Sequence, residues 1–384
     1  MEIFILKRNN DISFKNEVPY IYKEVLKNEE YGNFKELDST KCKIDLLDKT
    51  SEINRDSACK YLHVYELVKV ICKKQVISRA YFKLYEMIYH EPIIYRSNFS
   101  SLFICEAPGG FIECISDIRR KKNLQTKFLS VSKLDTSIKF NPYIEENNLI
   151  DSDITEYFVL NELTKKVNSK FPDGLDFITA DGGFEIKNYN CQENITSKLL
   201  LCEIYLAICT QKVGGMFVIK FFDMFTHNSV IYYLLLCSFY EYVKIIKPHT
   251  SRNSNSERYL ICYNFKGTDK DTIMTLKTII FNFKVGYTEV FPNVKISDYI
   301  KNRIKSFNNL IVYEQIKTIN ESIKMAQSKD TYLQNMLLKI FSKNKMNFDK
   351  LSLILLYKNI LCSRIKLCSN FLRNYNINIH HILF

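Results

Sequence analysis

The sequence contains few residues of several types, and each shortage limits what the protein can be. It has no Trp, and only 10 Gly and 7 Pro among 384 residues. Its 12 Cys are scattered without a CxxC pair, and no His is spaced as in a zinc site. We therefore expect no metal site, and cysteines that remain free thiols in a reducing compartment.

Long hydrophobic runs are also missing. The most apolar stretch, residues 230–240, is shorter than the ~20 residues that a bilayer-spanning helix needs, so it is expected to form a buried helix. The N-terminal segment MEIFILKRNNDISF has a short apolar run and no small-residue cleavage site, and it predicts no secretion signal. We expect no membrane partner.

What is present is a large apolar fraction and an uneven charge. Hydrophobic residues make up 46% of the chain, enough for one large domain with an appended module. The formal net charge is +12, and residues 269–384 hold 18 Lys and Arg against 8 Asp and Glu. Such a basic region suits a polyanion such as RNA, because binding releases counterions. A solvated helical face would have the same composition, so charge alone leaves both interpretations open.

Hydrophobic patterns divide the chain into three regions without an internal repeat. Residues 1–70 are predicted to form a mainly helical extension, with helices over YIYKEVLKNEEYGNF and HVYELVKVICKK. Residues 71–267 alternate apolar β-branched runs with helical segments, which predicts an α/β fold with a doubly wound, mostly parallel, Rossmann-like sheet. Residues 268–384 hold Leu, Ile and Lys with almost no Gly or Pro, which predicts a basic helical C-terminal region packed on the core.

The segment SLFICEAPGGF places a Pro-Gly-Gly turn between a predicted strand and a predicted helix. Pro108, Gly109 and Gly110 would let the backbone turn sharply and come close to a ligand. The spacing differs from G-x-G-x-x-G, so a dinucleotide is disfavoured. Taken alone, an ordinary strand-to-helix turn is the simpler interpretation.

The segment LIDSDITEYF offers Asp151 and Asp153 after the third strand region. A carboxylate there could accept a hydrogen bond from an adenine amino group. Asp and Thr ahead of a helix are also ordinary N-caps, and the cap interpretation is favoured for this motif by itself.

Two charged residues are predicted at the ends of buried strands. Asp181 follows the strand LDFITA and precedes two glycines, which would leave the space above it open. Lys220 lies at the end of the strand GGMFVIKFF. Open α/β sheets place chemistry at this position. A buried ammonium is costly without a partner, and Asp181 is the obvious partner of Lys220. In isolation, Asp181 would more simply belong to an Asp-Gly turn.

Two further charges come from flanking segments. Arg79 and Lys83 share one face of the predicted helix SRAYFKLYEMI, where Lys83 taken alone would be an ordinary surface lysine. Glu257 begins a predicted strand after the basic, polar loop KPHTSRNSN. Each feature is weak alone, whereas the ordered set on alternating elements is specific.

Together these segments resemble the FtsJ-like, RrmJ-type ribose 2'-O-methyltransferases, which use S-adenosylmethionine and a Lys-Asp-Lys-Glu tetrad. The similarity covers residues 75–267. Within that family, CEAPGGFI, TADGGFE, GGMFVIKFFDMFTHNSV and KPHTSRNSNSERYLIC are most similar to the Adrift-type cap methyltransferases. That group includes cap-specific mRNA 2'-O-methyltransferase 2 and proteins of large DNA viruses such as the asfarviruses.

The resemblance implies roles for the charged residues. Lys220 would be the base or proton-orienting group, Asp181 would orient it, and Lys83 with Glu257 would complete the site around the acceptor ribose. It also implies that S-adenosylmethionine is held by Glu106, Ala107, Pro108, Gly109, Gly110, Phe111, Asp153 and Asp181.

The sequence departs from the family pattern at two places. Phe103 stands where many relatives have an acidic residue in the first strand. FLSVSKLD lacks an acidic residue directly at the end of the second strand, so the sequence assigns no residue to the cofactor ribose.

The implied activity is methyl transfer to the ribose 2'-OH of a cap-proximal nucleotide, with the capped mRNA 5' end as partner and other capping-enzyme subunits as further partners. Two alternatives stay open: 2'-O-methylation of ribosomal or transfer RNA, and a non-catalytic SAM- or RNA-binding subunit of a capping complex. The absence of Trp and the abundance of Lys, Asn and Ile suggest an AT-rich genome. That composition fits a protist or a large DNA virus with a cytoplasmic factory, and a cellular protein could be nuclear.

Overall fold

The computed structural model describes residues 3–7, 14, 17–50, 76–134, 139–141, 144–184 and 188–327. The strands among them are β1 (Ile3–Lys7), β2 (Tyr20–Tyr22), β3 (Ser100–Ile104), β4 (Lys127–Ser132), β5 (Leu149–Asp151), β6 (Leu175–Ala180), β7 (Gln211–Phe221), β8 (Tyr240–Ile246), β9 (Arg258–Phe265) and β10 (Thr288–Val290). The helices among them are α1 (Lys35–Thr50), α2 (Ala80–Ile88), α3 (Gly110–Arg120), α4 (Tyr157–Lys170), α5 (Gln192–Thr210), α6 (His227–Phe239), α7 (Lys270–Phe281) and α8 (Asp298–Gln327).

Within the described residues, one large sheet has the strand order β1-β8-β9-β7-β6-β3-β4-β5. Strands β5, β4, β3, β6 and β7 are parallel, and β9, β8 and β1 continue the sheet in antiparallel pairs. The chain leaves β3 toward β4 and later returns to β6 on the other side of β3. A crevice therefore opens at the carboxyl ends of β3 and β6. The predicted doubly wound, mostly parallel α/β sheet is confirmed.

Helices cover both faces of the parallel strands, which explains why β6 is apolar throughout most of its length. All six residues of β6 are buried. Phe177 belongs to the apolar cluster that contains residues of α2 and α3, and Ile178 belongs to the cluster that contains residues of α4, α5 and α6. Successive side chains of a strand point to opposite faces, so a strand buried on both sides has little room for polar residues.

The prediction of a helix over YIYKEVLKNEEYGNF is wrong. The segment begins with β2, which pairs with β10 in a separate two-stranded sheet, and continues into a short 3-10 helix at Glu29–Tyr31. Asn28 caps that helix by accepting from Glu30 N–H, and Gly32 ends it at a φ of 147°. Tyr20–Tyr22 takes a strand conformation because a partner strand far away in sequence supplies its hydrogen bonds.

The other predicted N-terminal helix, HVYELVKVICKK, lies outside the described residues. Two features of the terminal regions had not been predicted: β1 adds an edge strand to the main sheet, and β10 interrupts the C-terminal helices. The described helices α7 and α8 agree with the helical pattern of residues 268–384. The boundaries at residues 70 and 267 remain predictions.

The described C-terminal residues pack on the sheet domain. Ile300, Ile304, Phe307 and Ile311 of α8 belong to the main apolar core. The side-chain amide of Asn308 donates to the carbonyls of Tyr31 and Met224 at 2.6 and 2.9 Å. Helix α8 is therefore part of the packing that holds the loop after β7.

Three further observations concern the described part of the chain. Every cysteine there is a free thiol. No helix in these ranges is long and apolar enough to cross a membrane. The same residues contain no cluster of three or more His, Cys, Asp or Glu side chains arranged to hold a metal ion.

Candidate active site

The charged residues predicted from separate segments meet at one edge of the sheet. Asp181 follows β6 directly, and Lys220 is the penultimate residue of the neighbouring β7. Glu257 precedes β9, which is antiparallel to β7, so the start of β9 lies beside the end of β7. Lys83 reaches the same place from α2. The sheet topology thus assembles the four side chains at the crevice beside β3.

The four charges form two ion pairs. Lys83 Nζ lies 2.7 Å from Glu257 Oε2, and Lys220 Nζ lies 3.2 Å from Asp181 Oδ1. Lys220 Nζ also donates to the backbone carbonyl of Asp181 at 2.6 Å. The pairing expected between Asp181 and Lys220 is therefore present.

Tyr259 joins the two pairs and had not been predicted. Its hydroxyl donates to Asp181 Oδ1 at 2.8 Å and accepts from Lys83 Nζ at 3.5 Å. In the β7–β9 ladder, Tyr259 stands opposite Lys220, which places both residues at the same level of the sheet. The signal was available in SERYLIC, because Tyr259 is two residues after Glu257 and shares its side of the strand.

The electrostatics favour the charged forms of Lys220 and Glu257. Burial alone would lower the pKa of Lys220, but Asp181 and Glu257 outweigh it and raise the pKa above the ordinary lysine value. Burial alone would raise the pKa of Glu257, but Lys83, Lys220 and Lys247 hold it at about 2. Near neutral pH, Lys220 is therefore an ammonium and Glu257 a carboxylate.

The polar loop before β9 supports Glu257. The Ser251 hydroxyl donates to Glu257 Oε1 at 2.7 Å. Lys247 Nζ donates to the backbone carbonyls of Asn255 and Glu257 at 2.7 and 2.6 Å. Burial lowers the pKa of Lys247 to about 7. The segment KPHTSRNSN is thus a scaffold for the carboxylate that follows it.

The strand ends around this loop are held by α1 and α8. Asp223, just after β7, accepts from Lys41 of α1 at 3.1 Å and from Arg258 of β9 at 3.2 Å. Arg258 also donates to Asn308 of α8 at 2.7 Å. All four side chains are buried, and Arg258 is fully shut off from solvent. The flanking regions therefore fix the strand ends that carry Lys220 and Glu257.

The Pro-Gly-Gly turn lies where the sequence predicted, between β3 and α3. Gly109 has a φ of 114°, which favours glycine, and α3 begins at Gly110. A Cβ atom on Gly110 would lie 2.1 Å from the Ser78 hydroxyl oxygen, and one on Gly109 would lie 2.1 Å from Ile144 Cδ1. Packing against the protein itself thus favours glycine at 110, and the backbone conformation favours glycine at 109.

Glu106 gives the turn an unusual polar group. One carboxyl oxygen accepts from the Phe111 N–H, and Oε2 is buried without a hydrogen-bond partner among the described residues. Burial, together with Asp181, raises the pKa of Glu106 well above its usual range. A buried carboxyl oxygen without a partner beside a glycine turn fits a ligand with a polar group at this position. Ala107 is held differently, because its N–H donates to the Ser132 hydroxyl at 2.9 Å.

The acidic residues near β5 make hydrogen bonds with nearby residues. Asp153 Oδ1 accepts from the Thr155 N–H at 2.9 Å, and Asp153 Oδ2 accepts from Lys133 Nζ at 2.7 Å. Asp151 Oδ1 accepts from the Leu134 N–H at 2.9 Å. Asp153 caps the turn before α4, since α4 itself begins at Tyr157. Its contact with an adenine remains a prediction.

The two glycines after Asp181 have different surroundings. We predicted that both leave open space above Asp181. A Cβ atom on Gly182 would lie 2.2 Å from Glu203 Oε1, so Gly182 is tightly packed, and the expectation of open space is wrong there. A Cβ atom on Gly183 would lie 3.4 Å from Lys220 Nζ. Gly183 is the glycine that borders the charged site.

Comparisons with known proteins identify this part of the chain. Residues 76–265 match the family model of the FtsJ-like methyltransferases. The chain is 30% identical to Mus musculus cap-specific mRNA (nucleoside-2'-O-)-methyltransferase 2, over 69% of this chain and 37% of that protein. It is 36% identical to Mus musculus cap-specific mRNA (nucleoside-2'-O-)-methyltransferase 1, over 46% of this chain and 23% of that protein.

A solved Plasmodium falciparum structure described as a ribosomal RNA methyltransferase is 23% identical, with a TM-score of 0.42, over 50% of this chain and 99% of that one. The charged site lies inside the segment that the family model covers. Through residues 76–265, the chain belongs to the FtsJ-like methyltransferase family. It spans about a third of the length of the first curated relative.

Proposed function

We propose that this protein is an S-adenosylmethionine-dependent mRNA cap 2'-O-methyltransferase. The observation that carries the proposal is the meeting of Lys83, Asp181, Lys220 and Glu257 at the crevice beside the Pro-Gly-Gly turn. The relatives named above, which are cap-specific mRNA methyltransferases, support a capped RNA as the substrate. The four residues are the proposed catalytic group.

S-adenosylmethionine, when bound, would supply an electrophilic methyl group on a positively charged sulfur. The proposed binding residues include the turn at Pro108–Gly110, with Glu106 Oε2 as a polar atom that has no other partner among the described residues. Asp153 and Asp181 would provide further acceptors. All of these residues lie on the carboxyl side of the parallel strands, where this fold class binds its ligands.

Lys220 is the residue that would accept the proton of the acceptor hydroxyl. The 2'-oxygen loses its proton as it gains the methyl group, and a neutral Lys220 amine would accept that proton. Asp181 aims the amine, because it holds Lys220 through both a side-chain oxygen and its backbone carbonyl. The raised pKa of Lys220 makes the neutral form scarce near neutral pH, so the reaction should become faster as the pH rises.

Lys83 and Glu257 would position the acceptor ribose. Their ion pair is nearly buried, with 15% and 11% of the side chains exposed, so it presents a fixed donor and acceptor at the crevice. Rigid placement of a reacting hydroxyl lowers the entropy cost of the transfer. The basic residues of 269–384 would add sequence-independent attraction for RNA.

The direct test is transfer of labelled methyl from S-adenosylmethionine to short RNAs that end in m7GpppN, in m7GpppNm or in an uncapped 5' end. We expect label on capped RNA. The RNA end that accepts the label would show whether the first or the second nucleotide is methylated. Lys220→Ala should abolish transfer and leave S-adenosylmethionine affinity nearly unchanged. Lys212→Ala is the matched control, because Lys212 is exposed at the opposite end of β7.

Two results would contradict the proposal. Label on ribosomal or transfer RNA alone would make the enzyme a methyltransferase of another RNA. No label on any RNA, with S-adenosylmethionine still bound, would make the protein a non-catalytic partner in a capping complex.

A further inference from the structure

Glu203 is a buried carboxyl group next to the charged site that the proposed chemistry does not use. It belongs to α5 and is fully shut off from solvent. Its Oε1 accepts from the Gly182 N–H at 3.2 Å, and the Cys105 thiol also hydrogen-bonds to its carboxyl group. A carboxyl group that is shut off from solvent is costly to ionise, which calls for an explanation beyond packing.

The Asp181–Gly182 peptide group connects Glu203 to Lys220. The carbonyl of this peptide accepts from Lys220 Nζ at 2.6 Å, while its N–H donates to Glu203 Oε1 at 3.2 Å. The two side chains thus hold opposite ends of one peptide dipole. Hydrogen bonds in such a chain polarise each other, so a change at one end is felt at the other.

We propose that Glu203 is a positioning residue that acts on Lys220 through the Asp181–Gly182 peptide. A carboxyl group at this position fixes the turn that carries Asp181. When it ionises, it also strengthens the peptide carbonyl as an acceptor and stabilises the ammonium form of Lys220. The inference rests on the proposed role of Lys220 in methyl transfer.

The charged and titratable groups around Glu203 determine when it ionises. They are Cys105 after β3, Asp181 after β6, Lys220 on β7 and Cys202 on α5 itself. Burial raises the pKa of Glu203 to about 8, in spite of the opposing effect of Lys220. The residue is therefore mostly neutral at pH 7 and becomes charged in the range where the proposed reaction accelerates.

This arrangement makes the effect of Glu203→Gln depend on pH. Glutamine keeps an acceptor for the Gly182 N–H and imitates the neutral acid, so the variant should match the wild type near pH 7. At pH 9 the wild type carries the extra negative charge and the variant does not. Lys220 then loses its proton more readily in the variant, and methyl transfer should be about 3- to 10-fold faster than in the wild type.

The experiment compares rates of methyl transfer from pH 6 to 9.5 for wild type, Glu203→Gln and Glu203→Leu. Leucine removes the acceptor as well as the charge, so its rate should be lower than that of Glu203→Gln at every pH. A second measurement follows Lys220 itself by NMR in protein labelled at the lysine ε-carbon, with Lys220→Arg identifying the signal. The titration midpoint should move to lower pH in Glu203→Gln.

The matched control is Glu193→Gln, which removes another buried glutamate of α5. Glu193 accepts from the Thr226 N–H at 2.7 Å, away from the Asp181–Gly182 peptide. We expect no movement of the Lys220 midpoint in that variant.

Identical Lys220 midpoints in wild type and Glu203→Gln would overturn the inference, whatever the rates. So would rates that differ by the same factor at every pH, since that pattern reports only a structural role. The NMR titration requires no turnover, so it decides the inference even if no RNA is methylated and the proposed function fails.

Discussion

The hydroxyl of Tyr259 donates to Asp181 Oδ1 at 2.8 Å and lies 3.5 Å from Lys83 Nζ, so one side chain connects both ion pairs of the site. Burial, with Asp181 and Glu257 nearby, raises the pKa of Tyr259 well above its usual value. The hydroxyl therefore keeps its proton at any working pH. It serves as a fixed donor that holds Asp181 in place for Lys220.

Tyr259→Phe should remove the hydroxyl that links the two ion pairs without leaving a cavity in the core. Loss of one hydrogen bond to a charged carboxylate should lower kcat about 10-fold, with little change in S-adenosylmethionine affinity. Single-turnover methyl transfer measures the effect. Tyr263→Phe is the control, because Tyr263 is on the same strand and its hydroxyl donates to Glu91 at 2.8 Å, outside the site. Equal rates for both variants would show that Tyr259 only fills space.

Gly110→Ala tests the turn between β3 and α3. The new Cβ atom would lie 2.1 Å from the Ser78 hydroxyl oxygen and 3.1 Å from the Tyr81 amide nitrogen, so the start of α2 must move. Overpacking of this kind should lower the free energy of unfolding by about 1–3 kcal/mol and weaken S-adenosylmethionine binding. Urea unfolding and calorimetric titration measure the two effects.

Gly183→Ala is the comparison for that experiment. Its Cβ atom would meet no atom closer than 3.4 Å, so stability should be retained. Unchanged cofactor binding in Gly110→Ala would place the cofactor away from this turn.

Glu257→Gln should change how stability depends on pH. The pKa of Glu257 falls from an unfolded value of 4.5 to about 2 in the folded protein. A lowered pKa adds stability above pH 4.5, and that stability disappears as the pH falls toward 2; it amounts to about 3 kcal/mol. Urea unfolding between pH 3 and 7 should show a smaller pH dependence in the variant. Glu162→Gln, in an exposed pair with Lys165, should leave the pH dependence as in the wild type.

The rate of methyl transfer should rise with pH, because the raised pKa of Lys220 leaves little neutral amine. Between pH 6 and 8 the increase should approach about tenfold per pH unit. RNA binding measured at each pH separates this effect from affinity. A rate that is flat over this range would mean that Lys220 works only as an ammonium that orients the hydroxyl.

The basic C-terminal residues can be tested without truncation, which would remove α8 from the core. Lys270, Lys295 and Lys305 are exposed, and their joint replacement by Gln should weaken RNA binding and flatten its salt dependence. Each lost contact with a single-stranded phosphate reduces the slope by about 0.7. Lys121→Gln with Lys122→Gln, just past the end of α3, is the control. An unaltered slope in the triple variant would make this region a solvated helical face.

Much of the candidate site could be predicted from local patterns. LDFITA and GGMFVIKFF are apolar runs with a charge at or near their ends, so the sequence alone places Asp181 and Lys220 at strand ends. Tyr259 could be found only through its two-residue spacing from Glu257, and Glu203 could not be recognised from the sequence. A glutamate within an apolar helix looks like an ordinary packing residue until the neighbouring strands bring a partner within hydrogen-bonding distance.

The same difference between local sequence patterns and tertiary contacts holds for the whole chain. Local patterns alone determined the alternation of strands and helices, the parallel sheet and the Pro-Gly-Gly turn, because side-chain periodicity and backbone freedom act over a few residues. Only the tertiary structure decided that Tyr20–Tyr22 is a strand, that Gly110 packs on Ser78, and that one peptide group links Glu203 to Lys220. These features depend on partners far away in sequence, and their hydrogen bonds and contacts outweigh the local preference of the segments involved.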